Sequence, residues 1–306
     1  MLQTILSVIN QTVDRRSLER RYSRIKKISR EMLANPLTAI GLVIVATFIL
    51  VGLLAPVIRP PVSDQVYQMP RVWGTQLAPP LTPGHLLGTT RTGGDILYGI
   101  VWGSRLSIAI SLGVVTISVF IGVLFGTVAG FVGGNVDEIL MRVVDGMIAI
   151  PAIVLALALV VALGPSYLNI GIALSVMLWG TYARIIRGEV IHVKNEEYVD
   201  AARVTGVKEH TLVLKEVLPN AIQPIFIQAT LEMGSVVIIA SGLAFIGLAE
   251  PGLAEWGRLT AQGQQDLLRG AWWPSLVPGM AIFLWAFAWN MIGDGLRDVL
   301  DPERHD

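Results

Sequence analysis

The chain has no cysteine, only four histidines and little charge: Asp, Glu, Lys and Arg together make up 15% of its 306 residues, and they cancel to a formal net charge of zero. Each shortage excludes something. Without cysteine there is no disulfide, no thiol nucleophile and no cysteine metal site. A balanced charge removes the electrostatic footprint expected of a nucleic-acid binder. His85, His192, His210 and His305 are scattered without metal-ligand spacing, so no metal site is expected. No Gly-Lys dipeptide occurs, and a phosphate-cradling P-loop needs one at its helix start. The chain therefore cannot bind and hydrolyse ATP by that route, and no catalytic residue is assigned.

What the chain has in quantity is apolar length. Hydrophobic residues make up 53% of it and mean hydropathy is +0.62. An ordinary soluble domain carries about 25% charged residues. Here the charge is missing in long blocks, because an ionised side chain at the bilayer centre is costly. About 20 apolar residues cross roughly 30 Å of hydrocarbon. The blocks predict spans over 36–58, within 106–136, over 139–163 and 168–187 (separated by Gly164-Pro165), 220–248 and 272–294. The expected fold class is an all-α membrane protein with six transmembrane helices.

Lys and Arg in short loops set the orientation. The segment 1–35 carries Arg15, Arg16, Arg20, Arg21, Arg24, Lys26, Lys27 and Arg30, and the loop 188–219 carries Lys194, Arg203, Lys208 and Lys215. With six spans both lie on one side, so the N terminus, the C terminus (tail 298–306) and the loop are expected in the cytoplasm. Residues 1–14 space Leu2, Ile5, Leu6, Ile9 and Val13 helically. They read either as an amphipathic helix on the inner membrane face or as a frayed end. They do not read as a signal peptide, because the apolar part precedes the basic part. The segments 59–97 and 249–271 fall on the opposite side. Each is long enough to meet an extracellular partner or to cap the bundle.

The loop holds the densest information. Glu196–Asn220 places Tyr198, Val199, Ala201, Ala202 and Val204 before Gly206, and ends on Leu218-Pro219. This spacing predicts a short helix, a glycine turn, a second helix and a proline stop. Two alanines allow another surface to approach closely, and Gly206 allows a positive φ. Such an element suits a groove on another protein.

In these residues the loop resembles the EAA motif of ABC-importer permeases. Asp200 stands at the motif's Glu position, followed by Ala201, Ala202, Gly206, Leu218 and Pro219 at matching spacing. Glu216 departs from the motif at its Ile position. Tyr198-Val199, with Arg203 closing the run, is similar to the dipeptide/oligopeptide/nickel subgroup. The likeness extends through His85–Thr89, Gly94-Asp95 (with Gly94 where Arg is usual), Arg142–Asp145, Ile150-Pro151, Leu243–Leu248, Glu255–Gly257, Gly293–Asp298 and Leu300–Pro302. The longer first external loop is like that of the second permease of such systems.

The resemblance implies a type I importer permease fold, with a core at 98–297 that contains the coupling loop 188–219. It implies a second homologous permease that completes the pore, two cytoplasmic ATPase subunits that bind ATP and Mg, and an extracellular or periplasmic binding protein. The setting is the plasma membrane of a bacterium or archaeon, with no cofactor in this chain. Peptides are the expected cargo, with oligosaccharides and nickel as alternatives. A self-contained secondary transporter is the alternative class. It would leave the loop motif without a task, and no internal repeat is visible. An intramembrane enzyme would need a reactive constellation within the spans, and none is evident.

Other residues invite two readings each. Gly122, Gly126, Gly130 and Gly134 recur every four residues on the second span, for contact between the two permeases or for packing within the chain. Glu232, near the middle of the fifth span, either faces a water-filled pathway or pairs with a neighbouring helix. Trp285 and Trp289, four apart, line the pore or pack, and Trp272-Trp273 fit an interfacial anchor. Arg142 and Asp145 are spaced to pair at the start of the third span. Asp137 and Glu138 suit that helix's N-terminal dipole.

Overall fold

The computed structural model describes residues 26–300, so the helical spacing at 1–14 lies outside the described residues. Residues 26–34 are helical. Asn35 then opens α1 (Pro36–Leu53): its side chain accepts from Leu37 N–H at 3.0 Å, and Pro36 occupies the first turn. The first predicted span breaks at Leu54, and Pro56 starts a separate short α2 (Ala55–Ile58). Asp95 caps α3 (Ile96–Val132) by accepting from Tyr98 N–H at 2.9 Å. That cap starts the helix ten residues before the uncharged block. At 37 residues α3 is about 55 Å long, well beyond the roughly 30 Å of hydrocarbon that a span crosses.

The third predicted span is two helices, α4 (Gly134–Ala149) and α5 (Ala152–Leu163), which meet at 89°. Ile150 and Pro151 cause the break. Proline has no N–H and pushes its predecessor out of the helical region, and Ile150 is extended at φ −81°, ψ 128°. The remaining long helices are α6 (Tyr167–Val193), α10 (Gln223–Phe245) and α12 (Trp273–Leu300). Short α7 (Glu197–Val204), α8 (Glu209–Leu212) and α9 (Leu218–Ala221) lie between α6 and α10, and α11 (Trp256–Gln264) precedes α12. Among the described residues, five helices are long and apolar enough to cross a membrane, and the bent α4–α5 pair brings the number to six. The chain is thus a multi-pass, all-helical membrane protein.

α6 and α12 run six residues past their predicted ends. A charge ends an apolar block without ending a helix when the charge finds a partner. Arg184 reaches Asp145 (2.5 Å) and Arg187 grips Asp137 with two bonds of 2.6 Å. Asp145 is therefore not the partner of Arg142, which instead takes Glu138 one turn back at 2.5 Å.

The packing centre is α3 against α6. Gly122, Gly126 and Gly130 face the α6 backbone, and Cβ atoms there would lie 2.7 Å from Trp179 O, overlap Ala183 O and lie 2.8 Å from Arg187 O, respectively. These glycines pack within the chain. Gly134 does not join them: Gly133 and Gly134 have φ of +71° and +56°, turn the chain from α3 to α4, and leave Gly134 with no atom near. Small residues also seat α1 on α12, where Gly41 meets Ala288 and Gly295 meets Thr38.

At one end of the bundle, residues 59–95 and 249–272 close over each other as a cap. Ala254 N–H donates to Tyr67 O (2.7 Å), Met69 N–H to Gly252 O (3.1 Å) and the Trp273 indole to Thr89 O (3.1 Å). Arg91 pairs with the buried Asp266. Glu255, wholly buried, caps α11 by accepting from Gly257 and Arg258 N–H, and also accepts from the Ser241 hydroxyl. Burial pushes its carboxyl above the ordinary range, although those amide bonds pull it back.

Candidate coupling loop and transmembrane cleft

At the opposite end, α6 hands the chain to the loop. Only Lys194, Asn195 and Glu196 separate α6 from α7. α7 carries Glu197 and Asp200 in its first turn and Arg203 in its last, matching the helix dipole. It ends in a Schellman turn: Val207 N–H reaches Ala202 O (3.3 Å) and Gly206 N–H reaches Arg203 O (3.0 Å). Gly206 sits at φ +84° with nothing within 4 Å of where a Cβ would be. Glycine is needed there for conformation, not for space. Arg203 bridges the turn, bonding Asp200 at 2.8 Å and Glu209 at 3.4 Å.

The predicted glycine-broken helix pair is present, but the proline stop is not. From Glu209 the helix continues through a π-turn (Val213–Val217) into α9, with Pro219 in the first turn of α9. Proline offers no N–H, and its ring clashes with the carbonyl four residues back in a regular helix. The wider π-turn, in which Leu218 N–H reaches Val213 O, admits it. The break comes later, at Ile222, and α10 begins at Gln223 with Pro224 in its first turn.

Val199, Leu212 and Val217 are fully buried and seat the loop on the bundle. The other face is open. Val204 is 88% exposed and Leu214 63%, with Tyr198 and Ala201 also exposed and Leu218 half-buried. Burial pushes the Tyr198 phenol up from its ordinary range. A short, internally braced hairpin that leaves a valine and a leucine bare is a surface shaped for another protein.

Beside the loop a cleft of about 1230 Å³ opens between the loop-side half of α3, the start of α10 and the end of α12. Its walls are mostly apolar, and Val213, Leu214, Leu218 and Pro219 of the loop form part of them. Two buried polar atoms on this lining, Thr127 Oγ1 and Trp289 Nε1, have no hydrogen-bond partner. The structure thus brings Trp289 to the cleft but not Trp285. The Trp285 indole is buried, donates to Met233 O at 3.0 Å and stands edge-on to Phe48 and Trp289. It is a packing residue. Glu232 is half-buried, outside the cleft lining, and accepts from Gln228 on its own helix at 2.8 Å.

The sequence reading counts Lys194 only as a loop charge and does not foresee that its ammonium donates to Gly130 O at 2.6 Å, nor the brace from Arg203 to Glu209. A lysine just past a long helix was the available signal for the first. The cleft had none, because apolar lining and apolar core look alike in sequence.

The sequence of the chain matches known proteins along most of its length. A family profile described as "Binding-protein-dependent transport system inner membrane component" matches residues 122–305, which include the loop and most of the cleft. The chain is 36% identical to the dipeptide transport system permease protein DppC of Alkalihalophilus pseudofirmus, over 90% of this chain and 88% of that one. It is 37% identical to the probable D,D-dipeptide transport system permease protein DdpC of Escherichia coli, over 88% of each. It is 34% identical to the oligopeptide transport system permease protein OppC of Bacillus subtilis, over 88% of this chain and 87% of that one.

Proposed function

The chain belongs to the family of binding-protein-dependent transport system inner membrane components, and from that premise we propose that it forms half of the pore of an ATP-driven peptide importer. The permease itself is not an enzyme. ATP and Mg are bound by two cytoplasmic ATPase subunits, a second homologous permease completes the pore, and an extracellular binding protein delivers the peptide. The complex sits in the plasma membrane of a bacterium or archaeon, with the loop inside and the cap outside.

The observation that carries this reading is the open face of the loop. Tyr198, Asp200, Ala201, Ala202, Arg203, Gly206, Leu218 and Pro219 build a braced hairpin seated by three buried apolar anchors, with Val204 and Leu214 bare. Exposed apolar side chains on a rigid polar hairpin favour a protein groove over bulk water. ATP-driven closure of the ATPase pair would move this hairpin, and with it the wall of the adjoining cleft. Peptides are favoured as cargo because the relatives named above are peptide-system permeases.

Reconstitution tests the proposal. The chain is co-purified from its native membrane in mild detergent, and the recovered complex is placed in proteoliposomes with its binding protein. ATP-dependent uptake of labelled dipeptides and oligopeptides is the expected result. Uptake by this chain alone without ATP would replace the reading with a secondary transporter. ATP-driven uptake of nickel or an oligosaccharide but not of peptides would change the cargo.

A further inference from the structure

A push on the coupling loop moves a membrane helix only if the loop has a stiff mount. The structure gives it one on the α6 side. Lys194 turns back from the end of α6, and its Nζ donates to Gly130 O at 2.6 Å, with Phe131 O at 3.5 Å. These carbonyls lie in the last turn of α3, where a helix end leaves acceptors free. Two turns before Lys194, the Arg187 guanidinium grips Asp137 of α4 with Nε–Oδ1 and Nη2–Oδ2 both at 2.6 Å.

This fork differs from the ion pairs beside it. Its side chains are 34% and 17% exposed, against 77% and 61% for Arg142–Glu138 and 53% and 63% for Arg184–Asp145. Exposed pairs fix little. A partly buried bidentate pair fixes both distance and direction. Further along the same helices, Gly122, Gly126 and Gly130 bring α3 and α6 into backbone contact, so the two cannot slide without overlap. On its other side the loop leaves through the π-turn and the non-helical Ile222. The loop thus has a polar, directional mount on the α6 side and a break in the helix at Ile222 on the α10 side.

We propose that Arg187, Asp137 and Lys194 form the junction through which movement of the coupling loop is passed to α3, α4 and α6 as one body. They are positioning residues, and none of the three lines the cleft. The proposal rests on the ATP-driven importer reading above.

The test measures peptide transported per ATP hydrolysed by the whole complex in proteoliposomes. The wild-type complex supplies the reference, and absence of ATP-driven uptake in it would overturn the importer reading and this proposal together. If wild type couples, Asp137→Asn and Lys194→Gln are each expected to lower the ratio at least tenfold while the complex stays assembled and continues to hydrolyse ATP. Lys194→Arg, which keeps a donor, and the exchange of Asp137→Arg with Arg187→Asp are expected to recover at least a third of it. An unchanged ratio in both single variants overturns the junction. So does a fall that neither Lys194→Arg nor the exchange restores, because a general structural role would behave that way. If Asp137→Asn fails to accumulate, the comparison of Lys194→Gln with Lys194→Arg decides between these outcomes alone.

Discussion

The cap and the coupling loop are both polar segments outside the helix bundle, and both leave apolar side chains bare: Trp73 and Leu268 at the cap, Val204 and Leu214 at the loop. They are held in opposite ways. The cap is tied by directional bonds between segments far apart in the chain, such as Arg91 to Asp266, Ala254 to Tyr67 and Trp273 to Thr89. Among the described residues the polar bonds of the loop hairpin are local: Asp200 to Arg203, Arg203 to Glu209, Thr205 to Ala202 and Asn220 to Glu216. The hairpin itself is seated by the apolar anchors Val199, Leu212 and Val217, which lack direction, and its directional tie to the bundle lies at its root, from Lys194 to Gly130 O. A cap built this way keeps one shape. A loop built this way is rigid inside and fixed in direction at its α6 root rather than along its length.

The contrast breaks if a loop surface change damages the fold, or if a cap change damages coupling. The largest effect is expected from Val204→Glu, which places a charge on the open face of the hairpin. ATP-driven uptake should fall tenfold or more. The melting temperature of the purified chain should hardly move, since exposed substitutions stay within about 0.5 kcal/mol. A large drop in melting temperature would mean that Val204 supports the fold instead.

Trp256→Ala tests the cap. The ring is fully buried, packs on Phe48 and fills the notch beside Gly103. Its loss should cost about 3–5 kcal/mol, read as a lower melting temperature in detergent. Molecules that survive should transport the same amount of peptide per ATP. Gly206→Ala comes next. No atom lies within reach of the new methyl, so only the φ of +84° opposes it. A left-handed non-glycine residue costs about 1–2 kcal/mol. That cost falls on the hairpin alone, so uptake should drop severalfold while thermal unfolding of the bundle is unchanged.

Much of this was legible in the sequence, and what was not has physical reasons. The apolar blocks marked the spans because the bilayer tolerates little charge. The loop announced itself because glycine, proline and paired alanines each leave a local mark. Helix overhang was invisible, since it depends on whether Arg184, Arg187 and Asp95 find partners elsewhere. The 89° break was mistaken for a straight span because Ile150-Pro151 lies in an unbroken apolar run, where hydropathy alone cannot show a bend. The glycine row on α3 gave its face but not its neighbour. Its fourth member, Gly134, left the row because a positive φ at Gly133 ended the helix first. Trp285 and Trp289 share a helix face, yet only a structure separates the buried ring from the one at the cleft.

The smallest effect sharpens the cap side through pH. Glu255 is buried, and its folded carboxyl titrates above the ordinary carboxylate range. Below that ordinary range the group is protonated whether the chain is folded or not, and it contributes no penalty. As pH rises, the unfolded chain releases the proton first while the folded chain keeps it, so stability declines through the window up to the raised value and then levels off. The cap should therefore be slightly more stable in mild acid than at neutral pH as far as this group decides. Glu255→Gln removes the titration and keeps an oxygen to accept from Gly257 or Arg258. The melting temperature of the variant should lose that slope, and at neutral pH it should match or exceed wild type. A variant that melts lower at every pH would show that the three hydrogen bonds to the carboxylate outweigh the cost of burying its charge. The cap would then be held by that anion as well as by the bonds that cross it.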